Sequence, residues 1–194
     1  MTPFVVLSCT MAAMGGVIFG YDIGISMLGA DASWLPPEVG CFKLNVHAAV
    51  DASNGRVGVG LVLRDYAGIV LASSVQPIQS PFSALVAEAL AILRGLHFAF
   101  DTGLFPCTLE SDAKVVVDLV NSRNVPCAEV GLIIGDICNF IVTHPGCKFV
   151  FVPRKANMVA HSLARLSLSY GSDLFLMEEV SYCVLPVVLG DCPG

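Results

Sequence analysis

The sequence predicts an α/β domain: a five-stranded mixed sheet with flanking helices, preceded by one apolar N-terminal helix. Two observations predict the sheet. Three strand-length runs follow one another with only turn residues between them, and the hydrophobic period then alternates between that of a helix and that of a strand. A third observation predicts the leading helix: no residue from Pro3 to Gly20 is charged, in a chain whose mean hydropathy is +0.76.

The front segment, "PFVVLSCTMAAMGGVIFG", would measure about 27 Å as a helix, near the lower limit for crossing a hydrocarbon core. No Lys or Arg precedes Lys43, so the basic flank of a signal peptide is missing. The expectation is a membrane-inserted helix within 1–30. The alternative is a buried apolar segment, because Gly15, Gly16 and Gly20 weaken an isolated helix. "DASWLPPEVG", residues 31–40, reads as a linker, its Pro pair and Gly interrupting regular structure. The domain itself is expected over 41–170, with an acidic and apolar tail over 171–194.

Within the domain, strands are expected at about 43–50, 57–64 and 68–75, with "DYAG" turning the last two. "PFSALVAEALAILRGLHFAF" has helical period. "CTLESD" reads as a short strand, "AKVVVDLVNS" and "EVGLIIGDICNFIVTH" as helices, "CKFVFVP" as the fifth strand and "NMVAHSLARLSL" as the last helix. Three hairpin-joined strands followed by helical crossovers give a mixed sheet.

Of the 194 residues 55% are hydrophobic, which excludes a disordered chain. The net charge of −6 is uneven: all ten Lys and Arg lie between Lys43 and Arg165, and most of the acidic excess lies toward the two ends. The centre is therefore about neutral, so acidity does not exclude a nucleic-acid partner and no strong basic footprint announces one. The eight cysteines show neither C-x-x-C nor zinc spacing. They read as reduced thiols of a cytoplasmic or nuclear domain, membrane-associated if residues 3–20 insert.

Four residues stand out chemically. Alternation in "KLNVHAAV" puts Leu44, Val46, Ala48 and Val50 on one strand face and leaves His47 on the other with Lys43 and Asn45. Glu88 interrupts an apolar stripe formed by Leu85, Ala89, Ile92 and Leu96, a costly place for a carboxylate unless it is paired, metal-bound or able to reach water. Asp112 closes a strand just before a helix, where it could cap that helix or present a ligand over the sheet edge. His161 lies four residues after Asn157, partly exposed if Val159, Leu163 and Leu166 pack inward. His97 and His144 read as structural.

Two resemblances follow from longer stretches. "FKLNVHAAVDASNGRVGVGLVLRDYAGIVLASS", "AEALAILRGL", "LESDAKVVVDLV" and "FVPRKANMVAHSLARL" resemble the plant ribonuclease H-like domain, related to type 1 RNases H and to reverse-transcriptase-associated RNases H, over about 34–194. The resemblance implies the RNase H-like fold, binding of nucleic acid as an RNA/DNA hybrid or RNA, and metal-dependent cleavage of the RNA strand with Mg²⁺ or Mn²⁺ held by four carboxylates. It places Glu88 and Asp112 at the second and third of these metal-binding positions. His47 falls where the family pattern N-V-D-G-A has its Asp, and His161 where A-D-x-L-A has its Asp. A His at that last place is frequent in the plant group. Separately, "PFVVLSCTMAAMGGVIFGYDIGIS" resembles the first transmembrane helix of plant hexose–proton symporters. One helix cannot carry transport, whose sites lie between repeated bundles.

His47 is thus expected to replace the carboxylate that bridges two metals. A neutral imidazole with one lone pair is a poor bridge for hard cations, and Asp51, about 13 Å along the strand, cannot substitute. The expected product is a nucleic-acid-binding domain with impaired hydrolysis, in which Lys148, Arg154, Lys155 and Arg165 contact phosphates. No small-molecule substrate is expected. Three alternatives are an active hybrid endonuclease, a site for Zn²⁺, Mn²⁺ or Fe²⁺ built from His47, His161, Glu88 and Asp112, and a fusion or mispredicted gene product without function. A transcript crossing the codons for Ser26 to Trp34 tests the last.

Overall fold

Alternating residues with Gly and β-branched side chains make two nine-residue strands, β1 (Lys43–Asp51) and β2 (Arg56–Arg64), paired antiparallel in a computed structural model that describes residues 33–191. β3 (Val70–Gln79) continues the meander. It outruns its expected end at residue 75 by taking Pro77 into the strand opposite Gly58. Helix α1 (Ala84–Asp101) follows, capped by the Ser83 hydroxyl, which accepts from the Val86 N–H at 3.3 Å. Then come β4 (Thr108–Ser111), α2 (Lys114–Ser122), α3 (Glu129–Thr143), β5 (Lys148–Phe151), a 3-10 turn (Arg154–Asn157) and α4 (Met158–Ser167). β4 lies parallel to both β1 and β5.

Residues 171–191 add two elements to the expected set. β6 (Leu174–Met177) pairs antiparallel with β3, and α5 (Leu185–Asp191) packs against α4. The sheet is therefore six-stranded, in the order β5-β4-β1-β2-β3-β6. The front segment 3–20, expected to insert in a membrane, lies outside the described residues. Among the described residues, no helix is long and apolar enough to cross a membrane.

Each face of the sheet has its own core. Leu44, Val46, Val59, Leu61 and Leu63 pack under Ile92, Leu96, Val117 and Ile134 of α1, α2 and α3. On the other face, Val62, Val70 and Val75 meet Val159, Ala160 and Leu163 of α4, closed by Val184 and by Val188 of α5. The inner row of β2 on this second face contains Gly58 and Gly60. A Cβ on Gly60 would stand 2.3 Å from both the Ala160 carbonyl oxygen and the Ala164 nitrogen. The missing side chains let the α4 backbone rest directly on the strand.

Within the stretch expected as a linker, Trp34 is held in place. Trp34 is buried against Val152 and Ala156, and its ring lies 3.5 Å from the guanidinium of Arg64. Arg64, itself buried, donates to Asp191 Oδ2 at 2.9 Å and to Asn45 Oδ1 at 2.8 Å. Asn45 donates onward to Glu110 Oε2, whose other oxygen meets Lys43 Nζ at 2.6 Å. A buried arginine is tolerable because its hydrogen bonds and counter-ion replace the water it loses.

Candidate active site

Four elements deliver side chains to one point. His47 comes from mid-β1, Glu88 from the first turns of α1, Asp112 from the residue after β4, and His161 from the start of α4. The delivery follows from local structure. In the β1–β2 register His47 stands opposite Gly60, so the helix seated on that glycine brings His161 against it.

The distances are those of hydrogen bonds and, between His47 and Glu88, of an ion-pair contact. His47 Nδ1 lies 2.9 Å from Asp112 Oδ1 and 3.2 Å from Glu88 Oε1. His47 Nε2 lies 3.0 Å from His161 Nδ1. Asp112 Oδ1 also accepts from Asn157 Nδ2 at 2.8 Å, and Asp112 Oδ2 accepts from Arg154 Nε at 3.2 Å. Glu88 Oε2 accepts from the Ala48 N–H at 3.2 Å. All four carboxylate oxygens thus have partners supplied by the chain itself.

Electrostatics separates the two acids. Burial pushes the Glu88 carboxyl up to about 7; the charge on Asp112 adds to this, while His47 and the Ala48 N–H pull against it. Burial acts on Asp112 in the same sense. There, the hydrogen bond and charge of His47 and the hydrogen bonds from Asn157 and Arg154 outweigh it, holding the carboxyl below the usual carboxylate range. His161 is pushed down by burial first, then by His47 and Arg154, with Arg165 acting in the same direction.

These residues do not suit two oxygen-bound Mg²⁺ ions. The central position carries an imidazole, 3% exposed, whose Nδ1 already meets both acids, and a guanidinium occupies the outer oxygen of Asp112. Hard cations that prefer six oxygens find two carboxylates here. One ion with mixed nitrogen and oxygen donors fits better, because donor atoms of His47, Glu88 and Asp112 all lie within 4.8 Å of one another.

His47, which alternation left on the less apolar face, is buried there under α4. Asp112 does not cap α2, whose N-cap is Ala113 with no side-chain bond. Leu85, expected to begin the buried stripe of α1, is 38% exposed; Val86 and Ala89 take the inner positions, and Glu88 lies beside the N-terminal part of that row. Of the four cations singled out from the sequence, Arg154 touches the site and Arg165 stands one helical turn beyond His161. Lys155 adjoins Arg154 on the exposed side of the 3-10 turn. Lys148 opens β5 at the end opposite to Asp112 and does not join them. His97 and His144 pack on Phe140 in an aromatic group away from the site.

Asn157 is the site residue that sequence reasoning missed. It is fully buried, donates to Asp112 and lies within hydrogen-bond reach of the Val46 carbonyl, at 2.9 Å, and its Oδ1 has no hydrogen-bond partner. The available signal was a polar residue one turn before His161 at the start of an otherwise apolar helix face.

Comparison with known proteins bears on the family and the fold. The family model described as reverse transcriptase-like matches residues 45–167. A putative ribonuclease H protein of Arabidopsis thaliana is 29% identical over 144 residues, 73% of this chain and 23% of that protein. A hexose carrier protein of Ricinus communis is 85% identical over 26 residues, 13% of this chain and 5% of the carrier. The chain therefore spans a small part of either relative. Among solved structures, LC11-RNase H1 in complex with an RNA/DNA hybrid superposes with a TM-score of 0.60 at 20% identity, covering 66% of this chain and 96% of that one. At that identity the likeness is one of fold.

Proposed function

Because the chain belongs to the reverse transcriptase-like family and carries an RNase H-like fold, we propose that it binds RNA/DNA hybrids or RNA and that its hydrolytic centre is impaired. The observation that carries this reading is the internal satisfaction of the acids. His47 Nδ1 and Arg154 Nε hold Asp112, while His47 and the Ala48 N–H hold Glu88. Positive charge and hydrogen bonding that a metal pair would provide come here from side chains. A metal pair that would lower the pKa of an attacking water and stabilise a leaving oxygen would have to displace these partners and be held by two carboxylates. Arg154, Lys155 and Arg165 remain on the exposed side as phosphate contacts.

The test is cleavage and binding of a labelled RNA/DNA hybrid in Mg²⁺ and in Mn²⁺. The wild-type chain is expected to bind without cleaving. The double reversion His47→Asp, His161→Asp is expected to cleave, and adding Asp112→Asn should abolish that activity. Wild-type cleavage lost on Asp112→Asn would refute the reading.

One observation favours a second reading. The grouped donors of His47, Glu88 and Asp112, beside the orphan oxygen of Asn157, suit a single Zn²⁺, Mn²⁺ or Fe²⁺. Stoichiometric metal after dialysis into each ion, lost on Asp112→Asn, would support it; no retained metal in any of the three would end it.

A further inference from the structure

The two parallel strands β4 and β5 are each immediately preceded by a cysteine. The register sets Thr108 opposite Lys148, so Cys107 and Cys147 face each other one step earlier. Their sulfurs are 4.0 Å apart. The approach is built by the preceding residues. Gly146, at φ +108°, adopts a backbone conformation closed to most side chains, and a Cβ there would stand 3.0 Å from that of Pro106. The connections thus run side by side into their strands. Neighbouring strands lie about 4.8 Å apart, within the roughly 4.4–6.8 Å Cα separation that disulfides span. Each sulfur would need to move by about 1 Å to bond.

We propose that Cys107 and Cys147 are a thiol–disulfide pair, oxidised by a small disulfide such as glutathione disulfide, whose bond clips the edge strand β5 to β4. The outer thiol reacts first. Cys147 is half-buried, whereas Cys107 is 5% exposed. The hydrogen bond between them favours the thiolate on Cys147 and, with burial, pushes the Cys107 thiol up. The Cys147 thiolate attacks one sulfur of the oxidant, forming a mixed disulfide and expelling one small thiolate. Cys107 then gives up its proton and attacks the Cys147 sulfur, expelling the second. Two protein thiols are oxidised, one small disulfide is reduced to two thiols, and the two protons go to the departing thiolates.

The mechanical consequence follows from topology. β5 has one neighbour in the sheet, β4. At its far end the ladder continues through Val152 N–H to Ser111 O, and Arg154 then reaches Asp112. A bond at the near end would fix the strand pair at both ends, and an edge strand held so opens less often.

The experiment equilibrates the full chain with glutathione mixtures of rising oxidised share, blocks free thiols and maps peptides. The expected result is a Cys107–Cys147 cross-link with no glutathione retained. Amide exchange over Lys148–Phe151 should slow by roughly tenfold or more on oxidation. That slowing should be absent in Cys147→Ser and, as a second variant, in Cys107→Ala. Persistent glutathione on Cys147 with Cys107 still blockable would overturn the proposal, as would preferential pairing of either cysteine with another. A cross-link without added protection of β5 would overturn the clip.

Discussion

His47 Nε2 and His161 Nδ1 stand 3.0 Å apart, a hydrogen-bond distance between two imidazoles. With Nδ1 of His47 protonated toward Asp112, its Nε2 accepts from His161. Burial first, then His47 and Arg154, with Arg165 in the same direction, hold His161 below its ordinary value.

That relation is measurable. The His161 ring should titrate below the ordinary histidine value of about 6.5, and Arg154→Ala should move the midpoint upward. Histidine ¹⁵N shifts followed through a pH series would show both. The folded pKa is depressed, so stability from the neutral ring is present above the unfolded value and is lost as pH falls below it.

Glu88 has the opposite sign. Its folded value of about 7 lies above the ordinary carboxylate range, so its contribution is full below the unfolded pKa and is lost as pH rises through the folded one. Glu88→Gln should match the wild type near about pH 4 and exceed it near about pH 8, by up to about 3 kcal/mol. Urea unfolding of both proteins in chelator, at each pH, gives the difference directly.

Gly60→Ala should be destabilising by about 3 kcal/mol or more, because the added carbon meets the backbone of α4, which cannot rotate away. The same change should separate His161 from His47 and return the His161 titration toward its ordinary midpoint. Denaturant unfolding and the ¹⁵N titration report the two effects.

For hybrid binding, Arg165→Ala should flatten the dependence of log affinity on log salt by about 0.7–0.9. Lys148→Ala, at the far end of β5, should leave the slope unchanged. Fluorescence anisotropy across a salt series distinguishes them.

Asp191→Asn should cost about 3 kcal/mol, since it removes the carboxylate facing a buried guanidinium. A thermal midpoint measured beside the wild type checks this.

β1 and β2 were readable because they bury nearly every residue and so read as strand-length apolar runs, and α1 because it buries one face at helical spacing. β6 was not, because its four residues are half-buried or exposed and owe their extended form to pairing with β3. Trp34 was hidden by the Pro pair after it, a local signal that said nothing of an arginine 30 positions on. The site divides likewise. Glu88 announced itself as an acid on an apolar stripe, and Asp112 as one at a strand end before a helix. Asn157 and Arg154 gained their roles when the 3-10 turn brought them to Asp112, a contact of more than forty positions in sequence that no local pattern encodes.

The Arg64 junction bears on how this domain can be moved between proteins. Its guanidinium binds a ring near one end of the described chain and a carboxylate at the other. A segment cut to residues 45–167 would discard both, along with β6 and α5. The portable module is therefore wider than the family-matched stretch. A donor gene would have to supply everything from Trp34 to Asp191 for the graft to arrive with its interior complete.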